Sequence, residues 1–183
     1  MASIEGSVLA LAGITRARDE VDLAALVETY AGLLFRVAHS LLRSRAEAED
    51  VVQDVFVRVL EREQKLGEIR EMRVWLVRIA WNLALDRRRR IRPEQFDPGF
   101  VESLVGNYVA ADQAVDEAQR MTAVLRELDR LPKDERHVLL LSAMEELGTA
   151  EMAEVLGRSE SAVRALLFRA RTRLRERLDG GQR

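Results

Sequence analysis

The 183-residue chain carries 29 basic and 31 acidic side chains and no cysteine, which excludes disulfides, thiolate nucleophiles and cysteine-based zinc sites. Apolar content of 48% is ample for a core, and only three prolines and 5% aromatics, beside abundant Ala, Leu, Arg and Glu, argue for helix. No apolar stretch approaches the roughly 18–20 residues of a membrane span, and the run Val8 to Ile14 lacks the basic region of a signal peptide, so a cytoplasmic protein is expected.

Met1 to Val21 shows no clear organisation beyond a possible short helix around Val8 to Arg18. Asp22 suits an N-cap. Leu23, Leu26, Val27, Tyr30, Leu33, Leu34, Val37, Ala38, Leu41 and Leu42 then predict a long amphipathic helix to about Arg43. After a break at Ser44, a second helix is predicted from about Ala46 to Glu63. Its inward positions are Val51, Val52, Val55, Phe56, Val59 and Leu60. Its other face carries Glu47, Asp50, Gln53, Asp54, Arg58 and Glu61. The early acids complement the helix dipole. Gln53 and Asp54 lie past the first turn and suit a basic protein partner.

Gln64 to Glu71 is a polar connector. The helix after it, to about Ile91, buries Trp75, Leu76, Ile79, Ala80, Leu83 and Ala84 by spacing. Around that stripe lie Arg78, Trp81, Asn82 and Asp86, then Arg87, Arg88, Arg89 and Arg90. Rings beside guanidinium groups suit unpaired nucleic acid, since stacking is worth roughly 1–3 kcal/mol per base and the cations follow phosphates. A core helix with two structural tryptophans and a solvated basic end fits this stretch equally well.

Pro93 and Pro98-Gly99 end regular structure. The segment to about Ala111 reads as a linker, although Phe96, Phe100, Leu104, Val105 and Tyr108 are too apolar for a solvated tether. A second helical unit starts near Asp112, with one helix to about Leu131. Pro132 suits the first turn of the next, which ends near Gly148. Thr149 can cap a short helix containing Met152, Ala153, Val155 and Leu156. Gly157-Arg158 forms a tight turn, and Ser159 caps a last helix from Glu160 to about Leu178. This is the pattern of a helix-turn-helix whose second helix enters the major groove. His39 and His137 read as packing residues. Charge is uneven. Residues 93–129 hold eight acids against two bases, net −6, whereas 158–177 hold seven arginines against two glutamates, net +5. Two basic ends around an acidic middle suit two nucleic-acid contacts.

The stretches AEDVVQDVFVRVL, from Ala48, and WLVRIAWNLALDRRRR, from Trp75, resemble region 2 of bacterial extracytoplasmic-function sigma factors. Leu128 to Leu178 resembles their region 4. The resemblance implies an all-α protein of two small helical domains. Region 2 would span 22–92 and region 4 would span 112–183. The linker would be 93–111 and an N-terminal extension 1–21. It implies that Asp50, Gln53, Asp54 and Phe56 dock on the largest subunit of core RNA polymerase, with the second-largest subunit also a partner. Trp75, Arg78, Trp81, Asn82, Arg87, Arg88, Arg89 and Arg90 would meet the −10 promoter element, and the loop from about Gln64 to Arg73 would hold a flipped base. Arg158, Ser159, Glu160, Ser161, Arg164, Arg169 and Arg171 would contact the −35 element. An anti-sigma protein is a further partner that the resemblance suggests. No cofactor or metal is implied.

Two features depart from the family pattern. Ala162, Ala165 and Leu166 stand where hydrogen-bonding side chains are frequent, and Trp81 stands where a smaller or basic residue is frequent. A helix-turn-helix regulator with an N-terminal sensing domain is the alternative, and it leaves the acidic helix unexplained. An enzyme finds no catalytic constellation in two distant histidines without a glycine-rich phosphate loop. A protein-binding helical scaffold would lack nucleic-acid affinity.

Overall fold

The computed structural model describes residues 22–90, 111–144 and 147–180. Every regular element among them is helical: α1 Leu23–Leu42, α2 Arg45–Glu61, a 3-10 segment Glu63–Glu68, α3 Met72–Arg90, α4 Ala111–Asp129, α5 Lys133–Ser142, α6 Thr149–Leu156 and α7 Glu160–Gly180. The helix predicted around Val8 to Arg18 and the linker residues from Phe96 to Tyr108 lie outside the described residues.

The helix ends are set by local chemistry. Asp22 accepts a hydrogen bond from the Ala25 amide at 3.1 Å, and Ser44 accepts from Glu47 at 3.4 Å. α1 closes at Arg43, whose φ of 54° is left-handed, and the Arg43 amide donates to the His39 carbonyl at 2.8 Å. That conformation costs a non-glycine residue roughly 1–2 kcal/mol. The Arg43 guanidinium, however, makes two hydrogen bonds to Asp129 that offset the cost. Ser159 caps α7 through the Ala162 amide at 3.2 Å. α6 differs from expectation. Gly148 is its N-cap, and the Gly148 amide donates to the Glu151 carboxylate at 2.7 Å. Thr149 is the first helical residue and gives its hydroxyl to Glu160 at 2.6 Å. Gly157, at φ 63°, makes the left-handed turn between α6 and α7 that a Cβ would strain. Pro132 precedes α5 as its N-cap rather than lying in its first turn.

α3 is the centre of the packing. It contacts α1 and α2, and also α6 from the C-terminal half. Accordingly Val74, Leu76, Val77, Ile79, Ala80, Trp81 and Ala84 are all buried, well beyond a single stripe. Trp75 and Leu83, predicted inward, are only half-buried, and Trp81, predicted outward, is 2% exposed. A helix covered from two directions needs two apolar stripes, and periodicity resolves only one. On α2 the inward set is Ala48, Val51, Val55, Phe56 and Val59. Leu60, predicted inward, lies about 100° further round the helix and is 52% exposed.

α5, α6 and α7 pack on one another, and α4 packs along α7. Glu135 is buried there and receives both hydrogen bonds of its carboxylate from Arg173, at 2.6 and 2.7 Å. The buried side chains of both halves form one contiguous cluster, from Leu33 to Ala170. Leu76, fully buried on α3, supplies a test of that cluster. Leu76→Ala should lower the unfolding free energy by about 2–5 kcal/mol in urea denaturation, as for other buried leucines.

Candidate polymerase and nucleic-acid interface

The acidic face of α2 and the basic end of α3 meet through one side chain. Arg87 donates to Glu47 at 2.9 Å, to Asp50 at 3.3 Å and to Asp54 at 2.8 Å. Burial alone would lower the Arg87 pKa, but its hydrogen bonds to Asp54, Glu47 and Asp50 outweigh it and hold the guanidinium above its ordinary value. Arg87 is therefore a strut between the two helices. Arg78, Asn82, Arg89 and Arg90 of the same helix are exposed. Among the described residues Arg89 makes the weak i,i+3 contact with Asp86 at 3.4 Å.

On α2, Asp50 and Gln53 are exposed, Asp54 is half-buried, and Phe56 is a core side chain at 9% exposure. Val57 and Leu60, which the sequence pattern did not single out as surface, are each 52% exposed. The spacing 50, 53, 57, 60 places them on one face with Asp50 and Gln53.

Three positions of the predicted strand-binding surface are covered by the C-terminal half. The Trp81 indole meets the His137 ring edge-on, centroids 5.3 Å apart and planes at 89°. Arg73, assigned by sequence to the loop before α3 but lying in the helix's first turn, pairs with Glu151. Arg88 is half-buried, and burial followed by the charges of Arg136 and Arg43 lowers its pKa against the pull of Asp129. A cavity of about 150 Å³ remains in the seam, walled by Trp81, Asn82 and Leu85 on one side and Lys133, His137 and Arg158 on the other. Among the described residues no cluster of His, Asp and Glu could hold a metal ion.

The helix-turn-helix is tied by side chains expected at DNA. Glu160 accepts from Thr149 and from Arg164, which together hold its carboxyl below the usual range. It thus links the start of α6 to α7. Burial raises the Glu151 carboxyl, but the Gly148 amide and Arg73 outweigh it and leave it lowered. Arg158 pairs with Asp134. Ser159 caps the helix and Ser161 lies 3.1 Å from its hydroxyl. Arg169 and Arg171 are exposed on the outer face. Phe168, 73% exposed, stands among them. It lies off the buried row of Val163, Leu166, Leu167 and Ala170.

Comparison with known proteins matches two family profiles: sigma-70 region 2 over residues 26–94 and sigma-70 region 4 over residues 121–174. The chain belongs to the extracytoplasmic-function group of the sigma-70 family. It is similar to the sigma factor SigW of Bacillus subtilis, 27% identical over 169 residues, covering 87% of this chain and 90% of SigW. It is also similar to SigL of Mycobacterium tuberculosis, 29% identical over 189 residues, covering 96% and 94%. Among solved structures, CnrH in complex with the cytosolic domain of CnrY superposes with a TM-score of 0.64 at 28% identity, over 86% of this chain and 88% of that one. The RpoE of Bartonella quintana, at 20% identity and TM-score 0.63, shares the fold.

Two measurements probe this sigma factor's ionic framework. Arg87→Ala should cost about 1–3 kcal/mol of stability, since it strands three carboxylates. The loss should shrink in high salt, whereas Arg90→Ala should change stability by less than about 0.5 kcal/mol. His137 is held at a pKa of about 4, first by burial and then by Arg136, Lys133 and Arg88, against Asp134. Its folded pKa lies below the ordinary 6.5, so the unfolded chain takes the proton first. The neutral ring's contribution is complete above about pH 6.5 and is lost as pH falls toward about 4. Urea unfolding at about pH 7 and about pH 5 should therefore show a larger decline for the native chain than for His137→Phe.

Proposed function

We propose that this sigma factor divides its work among three helices. The outer face of α2 docks on core RNA polymerase, α3 and the loop before it capture the −10 element, and α7 reads the −35 element as duplex. The observation that carries this reading is the face of α2 on which Asp50 and Gln53 lie beside Val57 and Leu60. Two exposed branched apolar side chains ringed by acids suit a basic helical partner with an apolar centre, the arrangement typical of an interface hot spot. A regulator acting on duplex DNA alone has no use for that face.

On α3, the exposed Arg78, Asn82, Arg89 and Arg90 supply phosphate and base contacts, and Trp75 and Trp81 supply stacking surface. Arg87 serves mainly to hold α3 against α2. Flipping one base costs only a few kcal/mol, which stacking and phosphate contacts can offset, so strand opening needs no nucleotide hydrolysis. We assign the protein no catalytic step of its own. On α7, Arg169, Arg171 and Phe168 face outward, the guanidinium groups toward phosphates or guanine edges and the ring toward a thymine methyl. Work on polymerase and promoters places the protein in the cytoplasm, where an anti-sigma protein is a natural regulator of this family.

Reconstitution with core polymerase tests the assignment. Leu60→Asp, and separately Val57→Asp with Gln53→Ala, should weaken core binding by about 10- to 100-fold with the melting temperature unchanged. Arg89→Ala with Arg90→Ala should leave core binding intact, slow promoter opening seen by permanganate, and flatten its salt dependence. Binding of duplex promoter that is as tight without core as with it would instead identify a helix-turn-helix regulator.

A further inference from the structure

Three side chains at the head of the helix-turn-helix form a relay that ends on its outer face. Thr149, the first residue of α6, donates its hydroxyl to Glu160 Oε1 at 2.6 Å. The same oxygen accepts from the Arg164 guanidinium, one turn further along α7. Although paired, the Arg164 side chain is 65% exposed. Positions 164, 168 and 171 follow the three-and-four spacing of one helix face, so Arg164 stands in line with the exposed Phe168 and Arg171. We propose that Thr149 and Glu160 are positioning residues for promoter reading, which hold the Arg164 fork ready to make a bidentate contact with one guanine of the −35 element.

Three features separate this relay from an ordinary surface ion pair. An exposed i,i+4 pair is free to swing at both ends and fixes neither partner. Here the carboxylate is tied to a second helix, and the tie is possible because Gly148 and Glu151 cap α6 between them and leave the Thr149 hydroxyl for Glu160. The second feature is the company Arg164 keeps. It is the sole cation between Ser159 and Leu166. Ser159 spends its hydroxyl on the α7 cap, with the Ser161 hydroxyl 3.1 Å from it. Ala162, Ala165 and Leu166 offer no hydrogen bonds from their side chains. Base selection by this end of α7 therefore falls to one guanidinium, and its planar fork matches O6 and N7 of guanine. The third feature is the sign of Glu160. An acid on a helix facing a polyanion weakens general attraction. Held against Arg164, it neutralises that side chain as a phosphate ligand and leaves its remaining N–H groups for a base edge. The relay exchanges undirected affinity for selection.

The proposal rests on the reading of α7 as the −35 helix, and its test separates the two. The full chain with core polymerase is bound to a promoter library randomised over the −35 element, and the bound DNA is sequenced. The native chain should prefer guanine at one base pair by about 5- to 100-fold, and Arg164→Ala should erase that preference. Glu160→Gln and Thr149→Val, which keep the side-chain size, should each lower it by about 2- to 10-fold at the same base pair alone, the cost of ordering an arginine on binding. Thr149→Ser keeps the hydroxyl and should rescue it. In Glu160→Gln the freed guanidinium can pair with a phosphate. Binding to unselected sequences should then hold or rise, and log affinity should fall with log salt more steeply by ~0.9, as for one added phosphate contact. A merely structural role would instead weaken binding to every sequence alike. Full guanine preference in both Glu160→Gln and Thr149→Val, a uniform loss over all sequences, or a −35 preference that ignores Arg164→Ala overturns the relay while the −35 reading stands. If the native complex shows no preference anywhere in the randomised element, the −35 reading falls and the relay with it.

Discussion

The geometry of region 2 depends on one guanidinium between three carboxylates. Arg87 reaches Glu47, Asp50 and Asp54, one turn after another along α2, and so fixes how far α3 slides and rotates against its neighbour. The buried apolar side chains of these two helices are mostly Val and Ala, which tolerate small rotations. A branched ion pair does not, because its planar fork must meet each carboxylate at hydrogen-bond distance. The exposed side of α2 proposed to meet polymerase and the side of α3 proposed to meet a DNA strand are therefore held at one angle. The strut also spends part of the acidic face internally. Asp54 is half-buried in this pairing, and Asp50, further from Arg87, keeps more of its surface for a partner.

The same division explains the uneven fates of four consecutive arginines. A helix advances about 100° per residue, so Arg87, Arg88, Arg89 and Arg90 point in four directions. Arg87 meets α2, and Arg88 turns toward Arg136, Arg43 and Asp129. Arg89 and Arg90 face solvent. A basic run is thus a framework residue, a seam residue and two candidate DNA contacts, and composition alone cannot assign which is which.

What could be read from the chain follows from the range of the forces involved. The Asp22 and Ser159 caps were legible because a cap acts over three residues. The apolar rows of α1 and α2 were legible for the same reason of short range, since helical period is local. The family itself was legible because its motifs fall in two ordered blocks, each carried by residues near in sequence. What escaped was set at long range. Trp75 and Trp81 exchanged roles because α3 is covered by a second body that its own period does not announce. Leu60 was placed inside because it adjoins Val59, although the buried row passes it by. Gly148 displaced Thr149 as cap because Glu151 reaches back to its amide and leaves the threonine hydroxyl for Glu160.

The contact between the two halves combines two kinds of force. An interface closed only by apolar area gains about 25 cal/mol for each Å² removed from water and is indifferent to charge. Here Arg43, Arg88 and Arg136 share Asp129, and guanidinium groups drawn this close repel one another by an amount on the order of 1–3 kcal/mol per pair at the effective dielectric of a protein surface. The apolar part of the contact, in which the Trp81 indole meets the His137 ring, therefore works against a local repulsion that Asp129 relieves, so the position of that one carboxylate matters to the contact as much as the apolar area does.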